Sequence, residues 1–310
     1  VSEAEAAKFA ALAGEWWDPA GPFAPLHAMN PARCSFLRSA LCAAFARDPA
    51  LPRPLSGLHL LDVGCGGGLL SESLARMGAA VTGVDVNEGG LATARAHAAS
   101  DPDLAPRLRY RAATAEQLAK EGESFDAGAR AAKGVQARPA AGGRRGWVVG
   151  ERRGGNACPP AVTPACAARD GRRRRPPPPR AVIASEVIEH VASLPAFCSA
   201  LAALARPGGG VAVSTLNRTP RSYLAAVLVA ERVLRWVPPG THDWQRFLTP
   251  QELAMLAEES SGGGGAPPLR LRLLAGMEYE PLSGRWSLGR DTGINYIAWF
   301  DKPAQGGAGP

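Results

Sequence analysis

The chain of 310 residues carries 35 Lys and Arg against 28 Asp and Glu, a formal charge of +7, and 46% of it is apolar. That length holds one large domain or two small ones around a sizeable core, and no run of 18 apolar residues offers a membrane span. Six cysteines without a CxxC pair exclude a disulfide-stapled secreted scaffold or a zinc module and point to a reducing compartment.

In chain order, residues 1–54 read as a helical cap, broken by Trp16-Trp17-Asp18-Pro19 and again by Asn30-Pro31. Val1, in place of an initiator Met, leaves room for an upstream targeting segment. From residue 55 to 302 strands and helices alternate. Residues 58–64 read as a short apolar strand, 69–77 as a helix, 80–86 as a strand, 90–99 as a helix and 107–112 as a third strand. Strands at 211–216, 269–276 and 294–300 follow, and residues 303–310 read as a flexible tail. This order predicts an α/β fold: a doubly wound, mostly parallel, Rossmann-like sheet covered on both faces.

Residues 127–180 interrupt that order. They hold 13 Arg and Lys against two acids, so removing their +11 from +7 leaves about −4 on the other 256 residues. Four arginines at 172–175 run into four prolines at 176–179, with almost no periodic apolar positions. Such a stretch buries too little apolar area to offset its ordering entropy and reads as a disordered insertion. It splits Ser124-Phe125-Asp126 from the apolar residues 181–185, which would otherwise form one strand. The position reads as a retained intron or gene-model artefact, with a genuine disordered loop as the alternative. An intron implies a eukaryotic source. The basic run lacks interleaved aromatics and a folded frame, so no nucleic-acid partner is expected.

The strongest chemical signal is Leu60-Leu61-Asp62-Val63-Gly64-Cys65-Gly66-Gly67-Gly68. A strand that ends in Asp-x-Gly-x-Gly and opens a helix lets backbone approach a nucleotide closely. Leu69 stands where a dinucleotide turn has its third glycine. Asp62 suits a cofactor ammonium or nearby loop amides, which favours S-adenosylmethionine. Asp85 closes the second strand, 21 residues after Gly64, where a carboxylate can accept from both ribose hydroxyls. Together these residues indicate a class I methyltransferase. Thr114 and Glu116 after the third strand read equally as an adenine-side contact or as an ordinary helix start.

Four stretches resemble a narrower family, the ubiquinone biosynthesis O-methyltransferases. They are Trp16-Trp17-Asp18-Pro19 with Pro25-Leu26-His27 and Asn30-Pro31-x-Arg33; residues 62–68 with Ser71-Glu72-Ser73; Glu186-Val187-Ile188-Glu189-His190-Val191; and Ser214-Thr215-Leu216-Asn217-Arg218-Thr219. Asn295-Tyr296 also fits. The resemblance implies a seven-stranded class I sheet and methylation of a phenolic hydroxyl on polyprenylated dihydroxybenzoate and demethylubiquinol intermediates. It implies cofactor contacts at Arg33, Gly64, Asp85 and Ser185, beside the Asp62 and Gly66 of the turn.

Glu186, Glu189 and His190 stand at i, i+3 and i+4, which on a helix is one face. Two carboxylates and an imidazole suit Mg²⁺, with Mn²⁺ or Zn²⁺ as alternatives. An equal reading of the residues has no metal, with His190 as general base. The resemblance favours the metal. Residues 222–237 read as a basic interfacial helix with Arg232 and Arg235 on its polar face, or as a helix packed on the sheet edge. The following loop to Trp244 could cover a substrate, and its His242 reads as a loop residue. A prenylated substrate implies a peripheral membrane location. That is the matrix side of the mitochondrial inner membrane for a eukaryotic source, and otherwise cytoplasmic with membrane association. Another small-molecule methyltransferase, or an inactive member of a multi-protein biosynthetic complex, are the alternatives.

Overall fold

A computed structural model describes residues 12–122, 181–224, 243–261 and 268–304. Among these residues eight strands form one sheet: β1 (His59–Val63), β2 (Ala80–Asp85), β3 (Leu108–Ala112), β4 (Ala181–Ser185), β5 (Gly210–Leu216), β6 (Arg270–Glu280), β7 (Arg285–Gly289) and β8 (Asn295–Asp301). Their order is β3-β2-β1-β4-β5-β8-β6-β7. The first five are mutually parallel, while β8 runs antiparallel to β5 and β6, and β7 pairs antiparallel with β6. The expected parallel half is therefore present. The expected count of seven becomes eight, because β6 runs on to Glu280 and turns back into β7.

Helices α1 (Ala24–Ala44), α2 (Leu69–Arg76), α3 (Glu88–Ala99), α4 (Leu194–Leu204) and α5 (Pro250–Ser261) flank the sheet. Strands buried on both faces need near-continuous apolar runs, and β4 and β5 supply them up to Ser185 and to Ser214-Thr215 near their C-terminal ends. Alternation then sorts the side chains into two cores. Leu60, Ile183, Ala212 and Trp299 join Phe36, Leu37 and Leu41 of α1 on one side. Leu61, Val182, Val211 and Phe300 join Phe197 and Leu201 of α4 and Leu253 of α5 on the other.

One expectation about the N-terminal region is corrected. Asn30-Pro31 does not end a helix: α1 runs through Pro31 for 21 residues. Tertiary packing outweighs the lost backbone bond. Met29, Ala32, Phe36 and Leu37 are buried, and the Asn30 side chain donates to Ser73 Oγ at 2.9 Å, which ties the weak point to α2.

The disordered-insertion reading of 127–180, and the strand start at Ser124, lie outside the described residues. So do the basic helix positions Arg232 and Arg235, His242, and the tail 305–310.

Candidate active site

The turn after β1 is held by backbone shape. Gly64, Gly66 and Gly68 adopt φ of +70°, +52° and +85°, left-handed values that strain any residue with a Cβ. At Gly66 a Cβ would also run into the six-membered ring of Trp16. Trp16 is buried against this turn and stacks on Phe23 at 3.7 Å, and Trp17 Nε1 donates to the Gly67 carbonyl at 3.1 Å. The Trp-Trp pair, legible in the sequence as a helix break and a family marker, packs directly on the cofactor turn.

Asp85 is brought to the same turn. Its Oδ2 accepts from the Gly66 amide at 2.9 Å and its Oδ1 from the Asn87 amide at 2.8 Å. The end of β2 and the glycine turn thus form one rigid corner. Asp62 lies beneath it, buried, and accepts from Ser71 Oγ at 2.6 Å. Its donor is therefore a side chain at the start of α2. Burial pushes the Asp62 carboxyl up to about 6, against the pull of the Ser71 bond and the Arg33 charge.

Arg33 projects from α1 to the ends of the central strands. It is buried; Nη1 donates to Ser185 Oγ at 3.0 Å and Nη2 to Asn30 Oδ1 at 3.1 Å. Its Nε is buried without a hydrogen-bond partner among the described residues. From Ser185 the bonds continue to Ser214 Oγ at 2.8 Å and on to Glu186 Oε1 at 2.6 Å. Each hydroxyl has one hydrogen, and that of Ser214 goes to Glu186, so Ser185 donates to Ser214. The chain runs Arg33–Ser185–Ser214–Glu186 with every donor pointing toward the acid. Ser214 and Thr215 were quoted in the sequence reading without a role. Their position at the C-terminal end of a central parallel strand was the available signal.

Glu186, Glu189 and His190 do not share a helical face, and that expectation is corrected. Glu186 has φ +57°, a left-handed conformation costly for a non-glycine residue, and only Ile188–His190 forms a single 3₁₀ turn. The sharp bend at Glu186 breaks the i, i+3, i+4 register. Glu186 accepts from Ser214, while Glu189, buried, accepts from Thr215 Oγ1 at 2.9 Å. Burial, then the neighbouring Glu189 charge, push Glu186 up to about 7. His190 ends the turn and is half-buried. Among the described residues, no three His, Cys, Asp or Glu side chains form a group that could hold a metal.

Thr114 takes the helix-start arrangement: Gln117 N donates to its Oγ1 at 3.2 Å, and Gln117 Oε1 accepts from the Thr114 amide at 2.9 Å. Past β5, Asn217 Nδ2 donates to the Thr292 carbonyl at 2.7 Å, Arg218 pairs with Glu252, and Thr219 caps the turn that starts at Pro220. Tyr223 and Trp244 meet edge to face at 5.9 Å.

A glycine turn tied to the acid of the second strand, at the C-terminal edge of a doubly wound sheet, defines a class I methyltransferase. The family profile described as "Methyltransferase domain" matches residues 35–260. The mitochondrial ubiquinone biosynthesis O-methyltransferase of Arabidopsis thaliana is 40% identical over 302 residues, which cover 97% of this chain and 74% of that protein. The ubiquinone biosynthesis O-methyltransferase of Caulobacter vibrioides is 42% identical over 304 residues, covering 97% of this chain and 95% of that one. The relative from Dinoroseobacter shibae is 39% identical over 305 residues, covering 98% and 97%. The chain belongs to the ubiquinone biosynthesis O-methyltransferases, which makes it an S-adenosylmethionine-dependent O-methyltransferase.

Proposed function

We propose that the chain methylates a phenolic oxygen on polyprenylated benzenoid intermediates of the dihydroxybenzoate and demethylubiquinol type. The observation that carries this reading is the Arg33–Ser185–Ser214–Glu186 chain, which joins a cofactor-side cation to an acid at the ends of β4 and β5. S-adenosylmethionine, when bound, supplies a methyl group activated by a positive sulfur. The residues fit it: a turn shaped by left-handed glycines, Asp85 at its edge, and a buried Arg33 Nε that lacks a partner.

In this reading Gly64, Gly66 and Asp85 hold the nucleoside half, while Arg33 and Asp62 face the carboxylate and ammonium of the amino-acid half. Glu186 orients the substrate hydroxyl, and His190 accepts its proton. With the substrate hydroxyl oriented by Glu186 and its proton taken by His190, the oxygen would be ready to accept the methyl group that a bound S-adenosylmethionine would supply, the sulfur keeping the bonding electron pair. The protein supplies position and a proton acceptor.

Magnesium fits less well. The two carboxylates already accept hydroxyl bonds, and with His190 they do not converge as three ligands.

The N-terminal segment, lying on the glycine turn through Trp16 and Trp17, acts as the cap over the cofactor. A prenyl tail calls for a peripheral position at a membrane surface, on the matrix side of the inner membrane in this reading, with a biosynthetic complex as a further partner; the mitochondrial relative supports the mitochondrial context. Among the described residues no helix is long and apolar enough to cross a membrane.

Transfer of labelled methyl from S-adenosylmethionine to a short-chain prenyl catechol tests the reading, with the full chain and with residues 127–180 removed. Label on the phenolic oxygen is the expected result. Absence of transfer from both forms overturns it.

A further inference from the structure

Three aromatic and acidic side chains outside the reaction chemistry form a column beside the cofactor turn. The Trp17 indole lies on the His97 ring with centroids 3.4 Å apart and planes 1° from parallel. His97 Nδ1 is 2.7 Å from Glu72 Oε1, and because a carboxylate only accepts, the imidazole carries the hydrogen at that atom. At the other end, Trp17 Nε1 donates to the Gly67 carbonyl. The column therefore starts on α2, crosses α3 and returns through the N-terminal segment to the glycine turn.

Glu72 is 2% exposed; among the described residues its second oxygen has no hydrogen bond and faces Arg76 Nη2 at 3.7 Å. Arg76 in turn donates to Asp101 at 3.0 Å. The His27 ring meets Trp17 edge to face at 6.1 Å, and its Nε2 lies 2.8 Å from the Trp16 carbonyl. Burying an acid such as Glu72 is costly unless it is paired, so a pairing with His97 of this kind has to be explained by what it holds.

We propose that Glu72, His97 and Trp17 form a latch that seats the N-terminal segment on the glycine turn and so sets the affinity for the cofactor. The proposal rests on the cofactor reading above, and all three are positioning residues. The peptide between Gly67 and Gly68 is pinned at both ends: its carbonyl by Trp17, its amide by the Cys65 carbonyl at 2.9 Å. A turn fixed before the ligand arrives loses less entropy on binding. Releasing the carbonyl frees this peptide and loosens Trp16, which packs on the same turn.

The test is calorimetric titration of the full-length protein with S-adenosylhomocysteine, alongside steady-state kinetics and thermal melting. Trp17→Phe keeps a ring to stack but removes the bond to Gly67; Glu72→Ala removes the anchor; Glu72→Gln retains an oxygen for the His97 hydrogen. Trp17→Phe and Glu72→Ala are expected to weaken binding about tenfold and to raise the cofactor KM alike, with kcat within about twofold of wild type, since one hydrogen bond contributes about that much. Glu72→Gln restores binding. Binding within twofold of wild type in both weakened variants, with only the melting temperature lowered, overturns the latch. Failure of the unaltered protein to bind overturns the cofactor reading and the latch together.

Discussion

Ser214 gives its only hydroxyl hydrogen to Glu186 at 2.6 Å, so the strand end of β5 holds the strained residue that follows β4. The Glu186 amide reinforces this by donating to the Ser214 carbonyl at 3.0 Å. A left-handed glutamate is thus fixed from both its backbone and its side chain. Strain of about 1–3 kcal/mol survives only where the surroundings over-determine the conformation, and such places are commonly functional.

Glu186→Gln removes one charge from the Glu186–Glu189 pair while leaving an oxygen for Ser214. The melting temperature is expected to rise by a few degrees, because relief of about 1 kcal/mol moves a protein of this size by about 2–4 °C. Turnover is expected to fall at least tenfold. A scanning-calorimetry trace with no rise would show that the repulsion does not limit stability.

His190→Gln is expected to lower kcat by about 10²–10⁴, the usual contribution of a proton acceptor, while binding of S-adenosylhomocysteine stays unchanged. Unaltered kcat would move the proton-accepting role elsewhere.

Asp62 sets a pH dependence. Its folded carboxyl titrates at about 6, above the ordinary 3.8, so the folded state binds the extra proton between these values. Stability contributed by this group is present below about pH 4 and is lost as pH rises through 6. Asp62→Asn is expected to remove that loss, raising stability near pH 7 by up to about 3 kcal/mol on an order-of-magnitude basis, while cofactor affinity drops. Urea unfolding at pH 4 and pH 7 checks the sign; an equal gain at both would refute it.

Gly66→Ala combines a left-handed φ of +52° with a collision against Trp16. A destabilisation of about 2–4 kcal/mol is expected, together with loss of cofactor binding. Denaturant melts and fluorescence of the displaced indole measure both.

Arg33→Lys is expected to weaken S-adenosylhomocysteine binding by about 10–100-fold, because charge-assisted bonds contribute about 1.5–3 kcal/mol. One ammonium cannot reproduce a planar fork that reaches both Ser185 and Asn30. Retained affinity would argue that charge alone matters there.

Periodicity alone placed β1 to β3, and glycine spacing placed the turn at its end, because both patterns are local consequences of backbone geometry. β7 escaped notice because Arg285–Gly289 is short and lacks a buried run; pairing with β6 makes it a strand. The acid cluster was legible in composition and wrong in shape. Residues 186–190 look helical by spacing, and only the bonds from Ser214 and Thr215 turn them into a bend and a 3₁₀ turn.

The charge of +7 is a property of the sequence, and so is its concentration in 127–180, which leaves the remainder slightly acidic. The sequence also determined the parallel α/β order, the cofactor turn with Asp62 and Asp85, and the family markers. Tertiary structure alone decided which residues meet. Arg33 and Ser185 are 152 positions apart, and Trp17 and Gly67 are 50 apart. Their bonds depend on how α1 and the N-terminal segment pack across the sheet, which long-range burial decides and local preference does not.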